Sequence, residues 1–179
     1  VLPRQPVHYT SIDPANLDAV EQAAARRFGI TPRRVQQDRW WHTYLPAPFH
    51  LTHGVRNPVA AWWDQLGLQD CRSHQKFVPD AVHAAPLVQV RSFLRHLWAT
   101  DGTIVLNRSG KGPRVRIAYA TTSRRLADDV QRLLLRCGIQ ARISVVPQGE
   151  HRPSHHVRIE GVDHQRHFLT EIGVHGERG

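Results

Sequence analysis

Phe28-Gly29-Ile30 and Cys137-Gly138-Ile139 are the same kind of stop, an apolar helix end closed by glycine, and they stand 109 residues apart, from 29 to 138. A capped helical stretch precedes each glycine. A hairpin and a second glycine-ended helix follow each, closed by Gly67 and Gly173. A repeat that long in 179 residues confines the chain to two related α+β halves. The second half has an extra leading piece, a helix ending at Asp101-Gly102 and the strand after it. Shifted back by the repeat, that helix falls before Val1, so the expectation is a chain without its first copy. The halves are expected at residues 1–85 and 86–179, the second led by a helix over 87–100.

Val7–Ser11 is expected as a strand. Asp13-Pro14 caps a helix to Phe28, with Leu17, Val20, Ala24 and Phe28 on one face. Gln36–Leu45 is expected as one strand, turning at Pro46-Ala47-Pro48 and returning over Phe49–His53. Pro58 opens a helix over Val59–Leu66. In the second half a helix over Leu87–Thr100 precedes a hairpin of Thr103–Asn107 and Arg114–Ala120. Ser123 caps a helix with Leu126, Val130, Leu133 and Leu134 on its apolar face. Ala141–Val146 and His156–Ile159 flank a Pro/Gly/His loop, and Val162–Ile172 is the last helix.

Charge narrows the function. Lys+Arg is 24 against 15 for Asp+Glu, and every cation but Lys76 and Lys111 is Arg. A surplus of +9 draws nucleic acid or an anionic surface. Guanidinium adds bidentate contacts to phosphate and guanine. No run of about 18 apolar residues is present, so no membrane span is expected. Cys71 and Cys137 have no redox or metal spacing. Two histidine groups, His151/His155/His156 and His164/His167, lack zinc-ligand spacing, and the first fits a polar loop. The five Trp fit core and helix-face packing.

The segment Leu94-Arg95-His96-Leu97-Trp98-Ala99-Thr100-Asp101-Gly102 is a mostly apolar helix ending in a carboxylate. Leu94, Leu97 and Asp101 share a face. The helix buries its side and offers Asp101 at its end. A carboxylate there can hold Mg²⁺ together with waters and phosphate oxygens, or it can be an ordinary turn residue before glycine.

This segment resembles the second LAGLIDADG motif of homing endonucleases. The order Lys76-Phe77-Val78-Pro79, then Phe93 through Ile104, is similar to the endonuclease domains embedded in inteins. So is the stretch from Tyr119-Ala120-Thr121-Thr122-Ser123 to Leu134-Leu135-Arg136-Cys137-Gly138-Ile139. The likeness is to inteins lodged in replicative DNA helicases of the mycobacterial type. It implies two pseudo-symmetric αββαββα halves forming a saddle on double-stranded DNA with a long target site. It implies Mg²⁺ (or Mn²⁺) and hydrolysis of both strands. Asp101 takes the second acidic, metal-binding position, Lys76 the basic position after the first half, and Arg178 the matching place after the second. A guanidinium holds phosphate charge but cannot act as a general base.

Three departures stand out: no first acid, His96 where a small residue is usual, and Ala99 at a common acidic position. His96 implies a wider helix crossing. Val1 is no splicing nucleophile and the chain has no His-Asn ending, so self-splicing is not expected. An adjoining splicing domain or a second chain is the expected source of the missing motif helix, and the bacterial cytoplasm the expected location.

DNA contacts are expected from alternate strand residues. In the second half these are Asn107, Arg114 and Arg116, with Arg108 and Lys111 at the tip, and Arg142, His156 and Arg158 on the next hairpin. In the first half they are Arg4, Gln5, His8, Gln37, Arg39 and His42, with Gln5 and His8 of opposite parity. The rival reading is a catalytically inactive DNA-binding module of the same fold.

Overall fold

A computed structural model describes residues 6–109 and 112–176, with 107–109 and 112–113 described by their backbone alone. Arg4, Gln5, Lys111 and Arg178 lie outside the described residues. The chain forms two compact units, Val1–Asp70 and Cys71–Gly179.

The first unit contains β1 (His8–Ser11), α1 (Pro14–Phe28), β2 (Arg33–Gln36), β3 (Trp41–Tyr44) and α2 (Pro58–Gln65). Its antiparallel sheet has the order β1-β3-β2. Asp13 Oδ1 accepts from the Ala15 N–H at 2.9 Å, a satisfied N-cap, and Gly29 closes α1 at φ 63°. Ala24, Ile30, Leu45 and Val59 form a small apolar cluster. Beside it lies a polar tie. Arg34 forks onto Glu21 through Nε (2.8 Å) and Nη2 (2.9 Å), and the Thr43 hydroxyl donates to Glu21 Oε1 at 2.7 Å. The Arg34 hydrogen bonds, then that of Thr43, outweigh burial and hold the Glu21 carboxyl below its usual value.

The expected strand over 36–45 is corrected here. The hairpin is β2 with β3, turned through 37–40 and closed by the Gln37 N–H donating to the Trp40 carbonyl at 2.8 Å. Phe49–His53 is irregular. The inward face of the hairpin carries Arg34 and Thr43 beside Trp41, so polar residues break the apolar alternation that would mark it. Trp40, Trp62 and Trp63 are also partly exposed rather than core, Trp62 lying against Phe28 at 5.7 Å.

The second unit contains a short α3 (Asp80–His83), then α4 (Leu87–Asp101), β4 (Gly102–Ser109), β5 (Gly112–Thr121), α5 (Arg124–Arg136), β6 (Ala141–Gln148), β7 (His151–Ile159) and α6 (Val162–Glu171). From α4 onward the order is αββαββα. The sheet order is β4-β5-β7-β6. Removing β4 leaves β5-β7-β6, the arrangement of β1-β3-β2, so the internal repeat is structural. The caps repeat too. Ser11 Oγ accepts from the Asp13 N–H at 3.0 Å, and Thr121 Oγ1 accepts from the Ser123 N–H at 3.1 Å. One core runs through Leu94, Trp98, Ile117, Tyr119, Val130, Leu133, Val157, Ile159 and Phe168. Trp98 packs on Phe168 at 5.0 Å and on Tyr119 at 5.6 Å. The expected loop before His156 is instead β7 ladder, with His151 opposite Gln148. A register shift between Val146 and Gln148 accommodates Pro147, which has no N–H to donate.

Candidate functional site

Burial of Val90, Leu94, Trp98 and Ala99 fixes the axis of α4 against the second core. The helix passes directly into β4 at Gly102, where a Cβ would lie 2.4 Å from Trp98 Cδ1 and 2.6 Å from its Cα. Only glycine allows so abrupt a turn over Trp98. Asp101 is left exposed at the end of the helix. Gly102 pairs with Tyr119 on β5. Burial pushes the Tyr119 hydroxyl pKa well up, and the Asp101 carboxylate pushes it further.

Lys76 reaches the same end of β5 by a different route. Its carbonyl accepts from the Ser123 hydroxyl at 2.6 Å, just beyond the last residue of β5, and its side chain is exposed. Acid and base, 25 residues apart in the sequence, from 76 to 101, therefore meet one end of one strand. The chain after α6 runs back along α4. Arg91 pairs with Glu171 at 2.7 Å, Arg95 Nε donates to the Ile172 carbonyl at 2.6 Å, and the His96 and His175 rings meet at 4.7 Å. Burial first, then the charges of His175 and Arg95, lower the His96 pKa.

The face of the second sheet turned away from the core gathers five of the DNA-binding side chains expected in the second half. Ile104, Ile117, Tyr119, Ile143, Val157 and Ile159 point into the core. The alternate residues Arg114, Arg116, Arg142, His156 and Arg158 share the opposite face. Ala118, the small residue between them, stands opposite both Thr103 and Arg158, and Arg158 opposite Arg142. Burial, then the nearby Arg158 and Arg116 charges, lower the His156 pKa. By backbone register Asn107 lies opposite Arg114, and Arg108 opposite Pro113.

The outer face of the first sheet is smaller and aromatic. The His8 and His42 rings meet edge-on at 5.0 Å, and Thr10 Oγ1 hydrogen-bonds His42 Nδ1 at 2.7 Å. The Arg33 guanidinium lies over the Tyr44 ring at 5.2 Å. Gln37 and Arg39 belong to the turn, off this face. Sequence reasoning missed Thr10, Arg33 and Tyr44. The i, i+2 spacing of His8-Thr10 and His42-Tyr44 was the available signal.

Residues 88–173 match the family of LAGLIDADG-like domains. Residues 88–173 belong to the LAGLIDADG family. It is 44% identical over 179 residues to the replicative DNA helicase DnaB of Nostoc sp., covering 98% of this chain and 20% of that one. It is 28% identical over 141 residues to RecA of Mycobacterium tuberculosis, covering 70% of this chain and 18% of RecA. The chain spans about a fifth of the length of the DnaB relatives it matches. Its LAGLIDADG fold is similar to that of I-DmoI in a crystal structure with DNA and Mn, with a TM-score of 0.61, 12% identity, and coverage of 93% of this chain and 80% of that one. The family resemblance carried by the α4 motif is thereby borne out.

The donor chemistry at α4 suits a hard divalent cation. Asp101 offers an exposed carboxylate, and Mg²⁺ takes one or two carboxylates with waters and phosphate oxygens. Among the described residues no three His, Cys, Asp or Glu side chains gather into a metal-binding group. Among the described residues no helix is long and apolar enough to cross a membrane.

Proposed function

We propose that this chain belongs to an intein-encoded homing endonuclease, acting on double-stranded DNA in the bacterial cytoplasm. The observation that carries the reading is Asp101, held at the tip of a core helix at the same end of β5 as Lys76, beside a sheet face with four arginines and His156. A segment shared by a replicative helicase and RecA, about a fifth of each, behaves as an insert carried by different hosts.

In this reading each sheet offers its outer face to a long DNA target. Arg114, Arg116, Arg142 and Arg158 face the DNA, positioning on phosphate and reading guanine where they reach base edges. His8 and His42 supply the corresponding face of the first half, with Thr10, Arg33 and Tyr44 beside them. Asn107 continues the second face by backbone register, and Arg4, Gln5, Gln37, Arg39, Arg108 and Lys111 add further contacts to the DNA. A bound Mg²⁺ or Mn²⁺ would polarise the scissile phosphate and activate water. Asp101 would hold that ion through its carboxylate. Lys76 brings a cation to the phosphate, and Arg178 stabilises charge there. The second acid comes from another motif helix, supplied by an adjoining part of the intein or by a second chain.

A second reading has its own support. The 179 residues carry one motif acid, Asp101, so this segment by itself suits a DNA-binding module without catalysis. Plasmid cleavage with Mg²⁺ at an uninterrupted helicase-gene junction separates the two. We expect cutting when a second motif helix is supplied, and none with Asp101→Asn. Tight, salt-dependent binding without cutting in either form would select the non-catalytic reading. Neither cutting nor preferential binding would remove both.

A further inference from the structure

We propose that Asp129, on the buried side of α5, is the positioning residue that sets where Lys76 leaves the fold, an inference that rests on the role given to Lys76 above. The segment from Lys76 to Ala85 is fastened to α5 by backbone groups rather than by apolar side chains alone. Ser123 Oγ donates to the Lys76 carbonyl at 2.6 Å while accepting from Leu126 N–H at 3.1 Å, so one hydroxyl caps the helix and anchors the lysine. Next along the chain, the Arg125 guanidinium covers the Phe77 ring at 4.3 Å. Val78 is buried, and its N–H donates to Asp129 Oδ2 at 3.1 Å. The other Asp129 oxygen faces His83 Nε2 at 3.6 Å and Arg132 Nη1 at 3.5 Å. Arg136 then donates to the carbonyls of His83 and Ala85.

Asp129 is 4% exposed, and a carboxylate that deep persists only where its oxygens are occupied. One of them is occupied by a main-chain N–H two residues from Lys76. That bond fixes the path of the backbone, and with Ser123 it leaves the lysine side chain little freedom at its root. In the first unit Ala19 stands at the same distance after its cap, Asp13, as Asp129 stands after Ser123. The clamp therefore belongs to the second unit and is no requirement of the repeat.

Lys76 and Lys111 are the two lysines of the chain, which makes Lys76 separately visible. Both are converted to ¹³C-dimethyl-lysine in the full chain and observed by NMR, the Lys76 signal being the one lost in Lys76→Arg. We expect it displaced from the free dimethyl-lysine position. Asp129→Ala should return it to that position and narrow it at least twofold, with circular dichroism unchanged. Asp129→Asn, which keeps an oxygen for the Val78 N–H, should leave it in place. A wild-type signal already at the free position, or one unmoved by Asp129→Ala in a folded protein, overturns the proposal.

If Asp129→Ala does not fold, hydrogen exchange at Val78 in the unaltered chain decides. Protection of at least 100-fold supports the clamp, and less overturns it. Neither measurement needs DNA or metal, so the endonuclease reading can fail while the clamp stands. In a cleaving assembly Asp129→Ala should slow cutting at least tenfold at unchanged DNA affinity, and Asp129→Asn should restore the rate.

Discussion

In the first unit α1 meets its sheet with Glu21, whose carboxylate takes the Arg34 fork and the Thr43 hydroxyl. In the second, α5 meets its sheet with Leu126, Val130, Leu133 and Leu134, all buried. Both helices share a Ser/Thr-x-Asp/Ser cap and a glycine stop, yet they grip by different physics. A charged, hydrogen-bonded tie is directional and occupies few residues, and the strands it holds are four residues long. Apolar burial scales with area, and it backs strands of eight to ten residues. The longer strands give the second unit its broad arginine face. The shorter ones give the first a small aromatic patch.

The largest test of that contrast is Gly102→Val. A Cβ inside contact distance of Trp98 should cost the second unit about 3 kcal/mol, leaving the first unit unchanged. Hydrogen exchange resolved by unit measures it, and equal loss in both would break the comparison. Next come the caps. Ser123→Ala should cost about 2 kcal/mol, because the hydroxyl also holds the Lys76 carbonyl, against about 1 kcal/mol for Asp13→Ala. Urea unfolding of the two variants sets the order.

On DNA, Arg158→Gln should weaken binding about threefold to tenfold and lower the slope of log affinity against log salt by about one. Arg33→Gln, on the smaller face, should do less. His156 adds a pH dependence. Burial and the Arg158 and Arg116 charges lower its pKa in the free protein, and a phosphate favours its protonated form. Affinity should therefore rise as pH falls from about 7.5 to 5.5, and His156→Gln should flatten the rise.

The smallest effect is acid sensitivity of the first unit. Glu21 is held below its ordinary value of 4.5, so its contribution is complete above that pH and fades as pH falls through the folded value. We expect the first unit to lose about 1 kcal/mol or less through this group, and Glu21→Gln to remove that part of the pH slope in thermal melts.

Much of this architecture is legible in the amino-acid sequence. The glycine stops, the caps at Asp13 and Ser123 and the apolar stripe of α5 all express local rules of backbone and periodicity, and each marks its element. Asp101-Gly102 is legible because a carboxylate ending an apolar helix before glycine is a local pattern. The β2–β3 hairpin is not, because Arg34 and Thr43 are inward residues whose partner Glu21 sits on another element. Strand lengths in the second unit are under-read because Pro147 and the histidines resemble loop composition.

By itself, then, the chain determined its repeat, its helices and the Asp101-Gly102 helix end, since short-range sterics and hydrogen bonding decide them. Only the tertiary structure decided which side chains meet. It put Arg116, His156 and Arg158 on one face through the pairing of β5 with β7, and brought Lys76 to the Asp101 end of the sheet through Ser123 and Asp129. Pairing register and buried polar contacts join residues far apart in the chain, and no local pattern carries them.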